Sequence, residues 1–354
     1  GTRRGERGLP LMKPQLKRLG LGLAATVLLG ALVAGSLLNR RTLYTTTWFD
    51  LFDTVSVVKG YARSQAEWDE QMDALHADLL HYHQLFDIYN HYDGMVNLYD
   101  VNARAATAPV AVDEDLYTFL DWCANTVYPQ TDGATNIAAG AVLALWHDAR
   151  ESDTPAPPED AQIQQALAHI DIGHLQLDAG ARTVFLADEA MSLDVGAVGK
   201  GYAVELAAEA AEARGLDSAL LNIGGNLRAI GEKANGEGVW TVGVENPWGN
   251  DPTYIQTLAL PDGYSLIVSG DYQRYFEYEG VRYSHLIDLT TGYPAQYCSS
   301  VAILAPDGSG GTGDALSTAL FCLPEETGRR VLEHQPGFAA LWMYPDDTTR
   351  QAAQ

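Results

Sequence analysis

Leu193-Asp194-Val195-Gly196-Ala197-Val198-Gly199-Lys200-Gly201-Tyr202-Ala203 reads as a strand that passes through three glycines into a helix. Glycines let a backbone approach a phosphate closely, and the start of a helix offers N–H groups with no intrahelical partner. Lys200 adds a positive charge. A P-loop needs four residues between its first glycine and its Gly-Lys pair, followed by Ser or Thr. Here two residues separate Gly196 from Gly199, and Gly201 follows the lysine, so the stretch is not a P-loop. On spacing alone it is either an anion site or a tight structural turn.

Outward from this stretch, Gly199 to Gly215 predicts an alanine-rich helix closed by a glycine cap. From Ala219 to Ala305 the pattern is strands with Gly-rich turns, then helices over Asp314–Leu320 and Glu325–His334. On the N-terminal side, short strands are expected over 172–187 and a proline-rich surface loop over Ser152–Ala161. Helices are expected over Ala138–Ala149, Glu114–Tyr128 and 65–86, the last with Met72, Leu75, Leu79 and Leu80 near helical spacing. A single strand is expected over Thr45–Lys59. Strands and helices mix without regular βαβ alternation, which favours an α+β fold over a doubly wound sheet.

The chain has 354 residues and is 47% hydrophobic, enough for a sizeable core and incompatible with a disordered or fibrous chain. Met12-Lys13 and Lys17-Arg18 precede an uncharged run from Leu19 to Leu38. That run is about 20 residues, roughly one bilayer crossing, and a basic flank before it reads as a secretory signal or N-terminal anchor. Met12 reads as the start, with residues 1–11 an upstream extension. A lipoprotein box would need cysteine after Leu32-Val33-Ala34-Gly35, where Ser36 stands. Of 22 basic and 46 acidic residues, 8 and 1 lie within the first 41, so the body carries 14 against 45, a net charge of −31. Such a field repels nucleic acid and makes a nucleotide pyrophosphate depend on local cations. Cys123, Cys298 and Cys322 are far apart and read as buried or free thiols, with no metal-type spacing.

Three further segments can carry chemistry. Asn222-Ile223-Gly224-Gly225-Asn226 is a glycine pair between apolar strands, a turn by itself. Ser269-Gly270-Asp271-Tyr272-Gln273-Arg274-Tyr275 is followed by Ser284-His285-Leu286-Ile287-Asp288 and Thr291-Gly292-Tyr293-Pro294, and His285 is either a general base or a structural histidine. In Gly313-Asp314-Ala315-Leu316-Ser317-Thr318, Asp314 and Thr318 are four apart at a helix start and so share a face. A carboxylate with a hydroxyl suits Mg²⁺; the alternative is an N-cap beside a buried threonine.

Together and in this order, these segments resemble the FAD:protein FMN transferases, the ApbE family, from about Asp53 to Tyr344. The resemblance implies a two-lobed α+β unit over 42–354, with mixed sheets and flanking helices, preceded by the anchor or signal at 12–41. It implies an enzyme that uses Mg²⁺ to bind FAD, cleaves the pyrophosphate, and moves FMN to a threonine hydroxyl of a target flavoprotein, releasing AMP. Asp314 and Thr318 match the family's metal ligands, and the carbonyl of Ala197 completes them. Asp194 and Lys200 fall at FAD contacts, as does the stretch Ala134-Thr135-Asn136. Tyr89 matches an aromatic flavin contact, Phe52 stands where the family usually has Met, and His285 matches the proposed base.

The chain departs from the family at Asn136, where Asp is usual, and at Leu289, where Pro is usual. Thr131-Asp132-Gly133-Ala134-Thr135 looks like the motif these enzymes modify, but it coincides with the FAD-contacting stretch and reads as structural. An exported location is expected, with a partner in a membrane electron-transfer complex. The alternatives are a Mg²⁺-dependent FAD pyrophosphatase, in which water replaces threonine, and a non-catalytic flavin-binding protein.

Overall fold

The computed structural model describes residues 40–249 and 252–354. The expected signal or anchor lies outside these residues except for Arg40 and Arg41. Among the described residues no helix is long and apolar enough to cross a membrane.

The chain opens with a hairpin of Thr42–Leu51 (β1) and Thr54–Ala62 (β2) where the sequence predicts one strand. The turn residues are Phe52 and Asp53, both with φ of 52°. Two successive positive φ values match the twist of paired strands, but glycine or asparagine normally signals such a turn, and neither is present. Next comes Gln65–Phe86 (α1), whose Ser64 hydroxyl accepts from Glu67 N at 3.2 Å. Its apolar residues Trp68, Met72, Leu75 and Leu79 fall on one face and are buried.

Leu98–Arg104 (α2), Val110–Ala111 (β3) and Glu114–Trp122 (α3) follow. The helix predicted to reach Tyr128 does so through a wider π turn over Cys123–Val127. Gly140–Glu151 (α4) and Asp160–Leu167 (α5) flank the proline-rich loop, then Leu175–Asp178 (β4) and Thr183–Leu186 (β5) join β3 in a small antiparallel sheet. Gly199–Ala213 (α6) ends as expected, with Gly215 at φ 97°.

The strands that follow are Ala219–Ile223 (β6), Asn226–Ile230 (β7), Trp240–Glu245 (β8), Tyr254–Leu260 (β9) and Ser265–Gly270 (β10). Two small hairpins come next, Tyr275–Tyr278 (β11) with Val281–Ser284 (β12), and Ile287–Asp288 (β13) with Tyr293–Pro294 (β14). The chain closes through Ser300–Ala305 (β15), Gly310–Cys322 (α7), Glu325–Glu333 (α8), Ala339–Met343 (β16) and Thr349–Ala353 (β17).

The main sheet has the order β1-β2-β6-β7-β10-β15-β16-β17, with every neighbouring pair antiparallel. Both of its faces are covered. Val301, Ile303 and Ala305 of β15 pack with Leu316, Ala319 and Leu320 of α7, while Ala302 packs with Trp240, Val242 and Val244 of the β8–β9 hairpin. Burial on both faces explains why β15 reads as an unbroken apolar run. The three cysteines are buried and free, as expected.

One ion pair is sealed between the sheet and the helices. Arg228 on β7 is 1% exposed, and its Nε lies 2.9 Å from Glu205 Oε1 on α6. Its Nη1 lies 3.2 Å from Glu212. Burial raises the Glu205 and Glu212 carboxyls and the Arg228 charge draws them back down. Removing one partner of such a pair strands a buried charge. Arg228→Ala is expected to cost about 3–5 kcal/mol, read as a lower urea midpoint with unchanged slope.

Candidate active site

Helices α6 and α7 meet at their N-terminal turns and cap each other. Asp314 of α7 accepts from Gly201 N of α6 at 2.8 Å, and Glu205 of α6 accepts from Gly310 N of α7 at 2.9 Å. Both are N–H groups that a helix leaves unpaired in its first turn, and a carboxylate is the partner its dipole favours. The approach requires glycine: a Cβ on Gly201 would stand 2.5 Å from Asp314 Cβ and 2.6 Å from Gly310 O. Two sequence expectations change here. Helix α7 starts four residues earlier than predicted, so Asp314 lies in its second turn. The Gly201 N–H, expected to be free for a ligand, is held by the protein's own carboxylate.

Asp314 is 5% exposed. Burial pushes its carboxyl up, while Lys200, the Gly201 N–H and Asn226 pull it back down. Asn226 reaches it because Gly224 and Gly225, at φ 56° and 90°, turn β6 into β7; its Nδ2 lies 3.5 Å from Asp314 Oδ2. Both hydrogen bonds fall on Oδ2, leaving Oδ1 uncommitted among the described residues. Thr318, one turn further along a mostly buried helix, is half-exposed, and so is Ala197 in the glycine stretch. A buried carboxylate with a raised pKa and a spare oxygen, beside a hydroxyl, is an oxygen donor set that a hard dication would stabilise. Among the described residues no group of three or more His, Cys, Asp or Glu is placed to hold a metal ion.

Asp194 begins the glycine turn. Its Oδ1 accepts from Gly196 N at 2.8 Å, and its own N donates to Ile137 O at 2.8 Å. The residue as a whole still touches solvent, but its carboxyl is enclosed, and burial pushes it up. Lys200 sits at the head of α6, where its charge acts on both Asp314 and His285.

His285 follows β12. Its N and its Nδ1 both face Arg274 O, at 3.1 and 3.2 Å. A carbonyl only accepts, so Nδ1 carries the proton and Nε2 presents the lone pair. Burial lowers its pKa to about 4, helped by the charges of Arg274, Lys200 and Arg150. The imidazole is therefore neutral at physiological pH. Asp288 braces the loop beyond it, accepting from Thr290 N at 2.8 Å and Tyr297 OH at 2.9 Å. Leu289 packs against a hydrophobic cluster around Trp146 and Ile287.

Tyr89 is 55% exposed, a large ring open to a ligand. Burial of its hydroxyl and the nearby Asp194 push its pKa up to about 12. Its ring lies 5.1 Å from His147, and Arg150 Nη2 lies 3.1 Å from His147 Nδ1. Phe52, at the strained hairpin turn, donates from its backbone N to His83 Nδ1 at 3.0 Å and packs edge-on to that ring. The adjacent Asp53 acts on Tyr89.

The stretch 134–136 lies along α7. Thr135 donates to Ala315 O at 2.7 Å, one residue from Asp314, and Ala134 packs on the α7 core. Asn136 donates from Nδ2 to Ile170 O at 2.8 Å and accepts from Ala138 N at 2.9 Å. An aspartate could not make the first of these bonds, which gives the departure at this position a structural reason. Thr131 is 1% exposed and donates to Val127 O at 2.9 Å. Neither threonine of the look-alike motif is available as an acceptor.

The charge of Lys200 acts on both Asp314 and His285, and Asp194 acts on Tyr89. Sequence reading passed over His147, Arg150 and Arg274. The first two sit on a plain helix with no motif around them. Arg274 lies inside a quoted motif, and its role appears only once its carbonyl meets His285.

The ApbE family model matches residues 51–342. The FAD:protein FMN transferase of Treponema pallidum (strain Nichols) is 37% identical over 266 residues, 72% of this chain and 72% of that protein. The FAD:protein FMN transferase of Klebsiella pneumoniae (strain 342) is 31% identical over 245 residues, 69% of this chain and 73% of that protein. Among solved structures, the ApbE protein of Thermotoga maritima MSB8 superposes with a TM-score of 0.78 at 28% identity, covering 88% of this chain and 97% of its own. With that model spanning most of the chain and relatives at that identity, the chain belongs to the ApbE family.

Proposed function

We propose that this chain is an FAD:protein FMN transferase that cleaves FAD and attaches FMN to a threonine hydroxyl of an acceptor protein, releasing AMP. The observation that carries the reading is buried Asp314 with both of its hydrogen bonds on Oδ2, and a neutral His285 whose Nδ1 is held by Arg274 O, with the charge of Lys200 acting on both. Asp314, Thr318 and the carbonyl of Ala197 would hold Mg²⁺. When bound, the ion would supply charge neutralisation at the phosphates.

The chain's own residues do the rest. Tyr89 offers a flat ring for the flavin, Phe52 and Asp194 would contact FAD, and Ala134 to Asn136 would do so through their backbone, which the Thr135 and Asn136 side chains anchor. Lys200 draws the pyrophosphate into an otherwise acidic surface. His285 Nε2 takes the proton of the acceptor hydroxyl, and Arg274 O keeps the opposite ring nitrogen protonated so that the lone pair faces outward. The basic flank before the uncharged Leu19–Leu38 run supports an exported enzyme, released or anchored at the outer face of the cytoplasmic membrane. Its acceptor would then be a flavoprotein of a membrane electron-transfer complex.

Asp314→Ala is expected to abolish AMP release from FAD in the presence of Mg²⁺, followed by nucleotide chromatography. His285→Ala is expected to bind FAD normally and to leave an acceptor threonine unlabelled by mass spectrometry. Free FMN and AMP from the unmodified enzyme, with no labelled acceptor, would mark it as a pyrophosphatase instead. The imidazole also makes a pH signature: because burial disfavours the charged ring, His285 in the free protein stays neutral as pH falls through 6.5 and takes a proton near 4. Ring NMR shifts across pH 3.5–8 check this, and a midpoint near 6.5 would remove the assigned environment.

A further inference from the structure

We propose that Arg274 is a further substrate-binding residue of this site, its guanidinium taking the phosphate that stays with FMN. The inference rests on the transferase reading above. Arg274 immediately precedes β11, and its carbonyl accepts from both His285 N and His285 Nδ1, at 3.1 and 3.2 Å. The residue that fixes the base is thereby fixed to it. Its side chain is exposed, and no carboxylate pairs with it among the described residues. Its cationic neighbours are committed elsewhere: Arg282 to Asp271 and the Tyr275 ring, and Arg150 to Glu151 and His147. Its backbone is hydrogen-bonded to the base, so its unpaired guanidinium is carried on the segment that adjoins His285.

The covalent order of FAD supplies the rest. The flavin ring is joined through its ribityl chain to the phosphate that becomes the FMN ester. An acceptor hydroxyl at His285 Nε2 must meet that phosphorus directly, which brings the phosphate to the residue whose carbonyl holds His285, Arg274. In the transfer, the acceptor O–H proton passes to His285 Nε2 and the threonine oxygen bonds to the FMN phosphorus. The bond from that phosphorus to the bridging oxygen breaks, and AMP leaves with the electron pair. Arg274 exchanges no proton; its planar fork donates hydrogen bonds to the non-bridging oxygens, whose charge must be held while the bonds change.

The test uses Arg274→Gln and Arg274→Lys in the full chain, since neither alters the carbonyl that orients His285. Arg274→Gln is expected to lower kcat for AMP release from FAD and Mg²⁺ by about 100-fold, with Arg274→Lys recovering part. In Mg²⁺-free titrations the preference of the protein for FMN over riboflavin is expected to shrink about tenfold in Arg274→Gln. AMP binding and the thermal midpoint are expected to stay unchanged. Wild-type kcat and an unchanged FMN-to-riboflavin ratio in Arg274→Gln would overturn the proposal, as would an equal loss of AMP binding. If the unmodified protein releases no AMP from FAD, the transferase reading fails, and the FMN-to-riboflavin comparison still decides the role of Arg274.

Discussion

The structure turns on two carboxylates that each end on the other helix. Glu205 caps α7 at Gly310 and Asp314 caps α6 at Gly201, in each case an acid four residues after the capped glycine of its own helix. A hydrogen bond to a charged group contributes about 1.5–3 kcal/mol net, yet the larger consequence is geometric. Two helices can approach this closely only where neither carries a Cβ at the crossing. The two acids are then treated differently. Glu205 is matched by the buried Arg228, whereas among the described residues Asp314 has Lys200, an amide and a backbone N–H. One cap is neutralised by the protein, and the other retains an oxygen and a charge for something else.

That asymmetry answers the problem posed by the composition. A body with net charge −31 repels a pyrophosphate at long range. Attraction must come from cations at short range, where their charges are less screened. Lys200, Arg150 and Arg274 are all close enough to His285 to help hold it neutral. The same three charges would favour a bound phosphate. A bound anion would in turn offset those charges and raise the pKa of the imidazole.

Much of this was legible in the chain. The motif order, the Asp314/Thr318 spacing and the α+β pattern follow from local chemistry: glycines where the backbone turns, alternation where strands half-bury, and helical spacing where a face packs. The misses share a cause. The turn at Phe52-Asp53 carries neither glycine nor asparagine, and its two positive φ values are held by pairing between β1 and β2 and by His83. The early start of α7 is invisible because Gly310, Gly311 and Gly313 argue against a helix; burial against α6 and β15 overrides that propensity.

The sequence by itself determined the types of groups and their separations along the chain: a carboxylate and hydroxyl one turn apart, a lysine among glycines, a histidine before an apolar strand. Only the tertiary structure decided what each group meets. Residues more than a hundred positions apart, such as Gly201 and Asp314, have no local signal linking them. Their meeting follows from how an antiparallel sheet orders its strands and how tightly two helices can cross on its face. The same distance rule set the tautomer of His285, through a carbonyl eleven residues away. It also gave Asn136 its place, bonded to a backbone oxygen rather than turned toward a ligand.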